Sequence, residues 1–195
     1  IANSKATSMA FLKAGGRTDL VKVVYNGFQS KQYQNLGVKV IKVRQQLQFD
    51  ECFLVGHFSR FAFWKGQNIL IEALSYCPDN VVAIFVGGAF FFFFDYLQQL
   101  QEQVIKLKLE KRVHFLGFRS DIPELMTACD LIAHTSIAPE PFGRVIVEAM
   151  LCGKPLVASD AGGAVELIEH GKTGWLTPPG DVLKLAEIIE YCRTQ

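Results

Sequence analysis

Two carboxylates eight positions apart, Glu140 and Glu148, bracket a Pro141-Phe142-Gly143 turn and an apolar run in "EPFGRVIVEAM". Proline disfavours helical dihedrals in the residue before it, so Glu140 belongs to a loop. The pattern predicts a helix starting near Phe142 or Gly143, with Glu148 about two turns along it. The free N–H groups of that first turn, at the positive end of the helix dipole, make an anion site. The carboxylates themselves repel phosphate, but they accept strong charge-assisted hydrogen bonds from hydroxyl groups. Arg60 and Lys65, five positions apart in "SRFAFWKG", leave a strand and enter another helix. Such a pair suits a diphosphate, with Arg forking onto its oxygens and Lys adding a point charge. Gly87 and Gly88 in "IFVGG" let backbone approach a ligand closely, yet Phe92 occupies the sixth place of G-x-G-x-x-G, which speaks against a nicotinamide dinucleotide. A ligand with an anionic centre and hydroxyl-rich ends would use every part, and a nucleotide sugar is such a ligand. Taken singly, each of these residues also reads as an ordinary solvated surface group.

The elements that must position them alternate along the chain. Residues 21–26, 52–58, 81–88, 113–118, 131–136 and 155–160 are short β-branched or aromatic runs ending in turn residues. Most are apolar on both faces, as buried parallel strands are. Between them "GQNILIEALSYC", "DYLQQLQEQVIKLKL", "DIPELMTAC", "FGRVIVEAMLCG" and "AVELIEHG" show three- and four-residue apolar spacing. "DVLKLAEIIEYC" is a further helix, with Asp181 as its N-cap. This alternation predicts a doubly wound parallel sheet of the α/β class. Ligands of such sheets bind at the carboxyl ends of the strands, so the loops after residues 58, 88, 118, 136 and 160 are the ones to inspect.

Composition narrows the function classes. In 195 residues, half of them hydrophobic, a formal charge of +1 argues against a nucleic-acid footprint. Cys52, Cys77, Cys129, Cys152 and Cys192 contain no C-x-x-C pair and read as reduced thiols of a cytoplasmic protein. His57, His114, His134 and His170 show no paired metal spacing, although His134 ends a strand near Glu140. Asp130 and Asp160 read as turn and cap residues. The five phenylalanines at 90–94 are either an aromatic docking patch or an unusual loop. The chain opens without Met on "IANSKAT", as a piece of something longer would.

"EPFGRVIVEAMLCGKPLVASDAGGAVELIEHGKTGWL" resembles the E-x7-E region of family 4 retaining glycosyltransferases, the glycosyl transferases group 1 family. "VGHFSRFAFWKGQNILIEAL" is similar to that family's second signature, and "VYNGF" and "VHFLGF" follow its order. The resemblance covers nearly the whole chain and implies one Rossmann-like domain of the two-domain GT-B fold. Residues 1–20 would leave an N-terminal acceptor domain, and 21–195 would form the C-terminal domain that holds the donor. By position, Glu140 would contact the transferred sugar and Glu148 the ribose hydroxyls. Phe142, Gly143, Arg144 and Val145 would supply backbone N–H groups to sugar and phosphates. Arg60 and Lys65 would neutralise the departing diphosphate, while Gly87 would border the donor and Phe118 and Arg119 would face the base. Gly162 and Gly163 would begin a helix nearby. Two departures from the family pattern, Ala62-Phe63 in the first loop and the phenylalanine run, both fall near the cleft.

The implied activity is transfer of a sugar from a nucleotide sugar, with retention, to a saccharide or lipid-linked acceptor. No D-x-D occurs, so no metal cofactor is expected; the two cations and the helix terminus would serve instead. Such an enzyme is expected in the cytoplasm, with membrane association of a longer chain left open. A non-catalytic nucleotide-sugar-binding module, a sugar phosphorylase and an epimerase of the same fold are the alternatives. Base, sugar and acceptor are not legible.

Overall fold

The computed structural model describes residues 1–34, 36–49, 51–88 and 94–195, leaving aside the side chains of 38, 39, 42 and 94. Within them six strands form one parallel sheet: β1 (Phe53–Phe58), β2 (Val81–Val86), β3 (Val113–Gly117), β4 (Leu131–His134), β5 (Leu156–Ser159) and β6 (Trp175–Thr177). Their order is β3-β2-β1-β4-β5-β6. The helices are α1 (Lys5–Lys13), α2 (Gly37–Leu47), α3 (Gln67–Leu74), α4 (Phe94–Lys106), α5 (Ile122–Ala128), α6 (Arg144–Leu151), α7 (Ala164–Leu167) and α8 (Val182–Thr194).

Successive strand residues point to opposite faces, and both faces are covered. Val55, Ala83 and Phe85 pack on Leu70, Ile71, Leu74, Leu100 and Val104 of α3 and α4, and on Ile188 and Ile189 of α8. Leu54, Ile84 and Ile132 pack on the other side against Leu125 and Met126 of α5 and Ile146 and Ala149 of α6. Burial on both sides explains why these strands read as nearly unbroken apolar runs. The doubly wound α/β sheet expected from the alternation is therefore the one observed.

The winding reverses between β1 and β4. β1 pairs with β2 from Phe53↔Val81 to Phe58↔Val86, but with β4 only at Val55↔Leu131 and Gly56↔Ile132. Loops leaving β1 and β4 consequently diverge and open a crevice at the carboxyl edge. Asp130 fastens the opposite end of this seam. It takes a two-pronged bond from Arg44 of α2 (3.1 and 3.0 Å) and the Leu54 N–H at 2.7 Å.

Several elements differ from the sequence reading. Residues 21–26 join no strand of the six-stranded sheet; Val23 makes one isolated bridge to Ala2. α6 begins at Arg144 with Gly143 as its N-cap at φ +89°, which places Glu148 one turn in and not two. α7 spans only four residues, and α1, α2 and β6 were not anticipated. Residues 1–20 also contact the loops of the sheet: Lys5 and Ala6 N–H groups donate to Glu166 (3.0 and 2.7 Å), and the fully buried Ser4 hydroxyl donates to the Pro141 carbonyl. The phenylalanine run lies outside the described residues, except that the backbone of Phe94 opens α4.

Candidate functional site

The loop after β1 returns to the sheet at Gly66, whose φ of +67° and position 2.0 Å (for an added Cβ) from the Thr135 carbonyl admit no side chain. That contact presses the Lys65 end of the loop against the start of the β4 loop. His57 and Thr135 stitch it there: His57 Nε2 lies 3.1 Å from Thr135 Oγ1, which donates to the Lys65 and Gly66 carbonyls at 3.2 and 2.7 Å. The Lys65 ammonium is thereby delivered to Glu140, with which it forms a largely buried ion pair. Ser136 Oγ donates to the same Glu140 oxygen, Oε1, at 2.7 Å, and His134 Nε2 lies 4.0 Å from it. Glu140 Oε2 is not used by these contacts.

Electrostatics follow the burial. Desolvation alone would raise the Glu140 carboxyl, but Lys65 and Ser136 outweigh it and hold it below its ordinary value. Burial, with Lys65 adding to it and Glu140 opposing, pushes His134 down to about 4. Burial and the neighbouring His134 push His57 down to about 3. Both imidazoles are therefore neutral at pH 7. Glu148 differs: burial raises its carboxyl, with Arg144 at 3.5 Å opposing.

The residues singled out in the sequence divide between two clefts, each of about 280 Å³. One is lined by Arg60, Gly87, Phe118, Arg119 and Glu148; the other by Lys65, His134, Glu140, Phe142, Gly143 and Arg144. Val145, in the first turn of α6, lines both. Arg60 and Lys65 thus do not share one cavity, and each cleft holds one of the two glutamates. The Gly143 N-cap gives α6 no side-chain cap, which leaves the Arg144 and Val145 N–H groups at the junction.

Some assignments acquire a different physical content. Phe142 lines its cleft, yet the residue is buried, its ring packing on Tyr25 and Phe28 with centroids 6.2 Å from each. Gly87 is required by protein packing, since a Cβ there would lie 1.9 Å from the Ser59 carbonyl. Arg119 is paired with Asp121 at 2.8 and 2.6 Å, whereas Phe118 stands 84% exposed at the cleft rim. Arg60 sits over the Trp64 ring at 5.2 Å, and Arg144 over Phe28 at 4.7 Å. Gly162 and Gly163 abut the Glu140 and Phe142 backbone, and Gly163 N–H donates to the Glu140 carbonyl at 2.8 Å.

His57, Ser136, Asn3 and Asn26 belong to the site without having been assigned from sequence. Only Ser136 carried a local signal, a hydroxyl four positions before Glu140. Among the described residues no three His, Cys, Asp or Glu side chains gather as metal ligands, and no helix is long and apolar enough to cross a membrane.

The chain is 31% identical over 169 residues to N-acetyl-alpha-D-glucosaminyl L-malate synthase of Bacillus anthracis, across 86% of this chain and 42% of that one. It is 59% identical to Anabaena Alr3699/HepE, whose crystal structure in complex with UDP-glucose superimposes with a TM-score of 0.97 over 98% of this chain and 53% of that one. The chain thus spans about half the length of these relatives. It also shares its fold (TM-score 0.73, 24% identity) with the C-terminal domain of a glycosyl transferase group 1 family protein, LpcC, of Francisella tularensis, over 87% of this chain and 89% of that one. The fold is accordingly the Rossmann-like α/β domain of GT-B glycosyltransferases. The glycosyl transferases group 1 model matches residues 39–193, and the chain belongs to that family.

Proposed function

We propose that this chain is the donor-binding part of a retaining glycosyltransferase that takes its sugar from a uridine diphosphate sugar and hands it to a saccharide or lipid-linked acceptor. The observation that carries the reading is the pair of clefts meeting at Val145. In it, ribose and base occupy the Glu148, Phe118 and Arg119 cleft, and the sugar occupies the Glu140 cleft. The diphosphate crosses between them at the Arg144 and Val145 N–H groups. UDP-glucose in the 59%-identical relative supports uridine as the base.

The chemistry follows from charge. As the sugar–phosphate bond breaks, negative charge grows on the diphosphate. The α6 N-terminus, Arg60 on one side and Lys65 on the other are positive groups already in place, so their reorganisation cost is small. No metal is required in this reading. Glu140, with Lys65 and Ser136 on Oε1, offers Oε2 to sugar hydroxyls and serves as an orienting acceptor, not a covalent nucleophile. The acceptor is held by an N-terminal domain beyond this chain, so the 195 residues bind donor and transfer nothing alone.

Calorimetric titration with UDP, GDP and ADP, in Mg²⁺ and in EDTA, tests this. Preference for UDP, unchanged by EDTA and lost in Glu148→Gln, is expected. Binding that needs Mg²⁺, or turnover by the isolated chain, would contradict the metal-independence and the domain assignment respectively.

A further inference from the structure

We infer that Asn26, on the segment preceding the sheet, is a sugar-binding residue of the Glu140 cleft and helps select the transferred sugar; this rests on the donor-site reading above. The cleft wall is not built from the α/β layers alone. Asn3 and Asn26 line it together with Lys65, His134 and Glu140. Of the two amides, Asn3 is occupied, its Oδ1 accepting the Thr7 hydroxyl at 2.9 Å. Among the described residues the half-buried Asn26 carboxamide has no hydrogen-bond partner.

Its neighbours hold it still. Val24 N–H donates to the Ala2 carbonyl at 2.8 Å, and the Tyr25 hydroxyl donates to Glu166 at 2.9 Å. The Tyr25 and Phe28 rings pack on Phe142, and Phe28 supports Arg144. Asn26 thus lies in a short stretch fixed at both ends to the turn that carries the site, which lowers the ordering cost of any bond it makes. Among the described residues the anion-seeking groups of this cleft are Lys65, Arg144 and the α6 N-terminus, whereas a neutral carboxamide, one acceptor and two donors, matches adjacent hydroxyls.

The test uses the full-length enzyme, titrated with UDP and with UDP-glucose, as wild type, Asn26→Ala and Asn26→Ser; the Ser variant stands in should the Ala variant fail to melt cooperatively. A neutral hydrogen bond contributes about 1 kcal/mol net, so UDP-glucose affinity should fall about fivefold while UDP affinity stays within twofold. Equal losses for both ligands would place the amide on the diphosphate and overturn the proposal, as would no loss for either. A wild type that binds UDP with Asn26 inert leaves the donor-site reading standing; a wild type that binds neither ligand removes both.

Discussion

Lys65→Met would leave Glu140 with its side chain only 14% exposed and its cation gone. Removing one partner of a buried ion pair costs about 3–5 kcal/mol, because the other charge stays desolvated. The surviving Ser136 bond and partial exposure reduce this, so about 2–3 kcal/mol is expected at pH 7.5. For a chain of this size that is a fall in Tm of about 5–10 °C. The pH dependence identifies the cause. Without Lys65 only Ser136 and His134 oppose the burial, so the Glu140 carboxyl should titrate higher in the folded variant than in the wild type. A carboxyl raised in the folded state destabilises above its unfolded pKa and ceases to do so as pH falls and it takes up a proton. The wild-type-minus-variant difference should therefore shrink to about 1 kcal/mol near pH 4.5, and Lys65→Met/Glu140→Gln should recover most of the loss at pH 7.5. Urea denaturation across pH on the four members of this cycle measures it. A difference independent of pH, or a cycle with no coupling, would refute the buried pair.

The remaining expectations concern the scaffold. Gly87→Ala sets a Cβ against the Ser59 carbonyl, backbone on backbone, and should lower stability by more than about 2 kcal/mol, read as a reduced urea midpoint at unchanged slope. His57, with a folded pKa of about 3, stays neutral while the unfolded chain protonates near 6.5, so stability should fall with decreasing pH between those values. Each such histidine contributes about 1.4 kcal/mol per pH unit, and His57→Asn should remove one such increment from the slope measured at pH 6.5, 5.5 and 4.5. Asp130→Ala removes both prongs to Arg44 and the acceptor for Leu54 N–H, and should cost about 2–3 kcal/mol in the same assay.

Local pattern reaches as far as local physics does. β1, β2, β4 and β5 were legible because strands buried on both faces need continuous apolar runs, and the edge strand β3 because its β-branched and aromatic run, like theirs, stops at turn residues. β6 was not, because "WLT" is a three-residue edge strand between Gly174 and Pro178, too short to show a period. Residues 21–26 have strand composition, yet pairing needs a free sheet edge, which only the tertiary arrangement decides. In the site, Glu140, Glu148, Arg60 and Lys65 stood out because charged residues followed strand ends. Their division between two clefts did not, nor did the Lys65–Glu140 pair, which joins loops 75 positions apart. The places of Ser4 and Asn26 depend on how residues 1–28 fold back over the Pro141 turn, a long-range contact with no local signature.

The two-position register between β1 and β4 bears on how the chain holds together over time. Strands β1–β3 and β4–β6 each come from one continuous stretch, so each half can close its own short loops first, and the narrow joint between them has the larger loop entropy to overcome. The Arg44–Asp130–Leu54 bonds at one end and the His57–Thr135 contact at the other are what keep that joint shut. If it opens, each half should be protected as a unit against amide exchange. Under the donor reading proposed above, a ligand lying between the two loops would bind only when the joint is shut, and at a hundred times its Kd would favour the shut state by about 2.7 kcal/mol. The bound ligand would then act as one more fastening of the sheet.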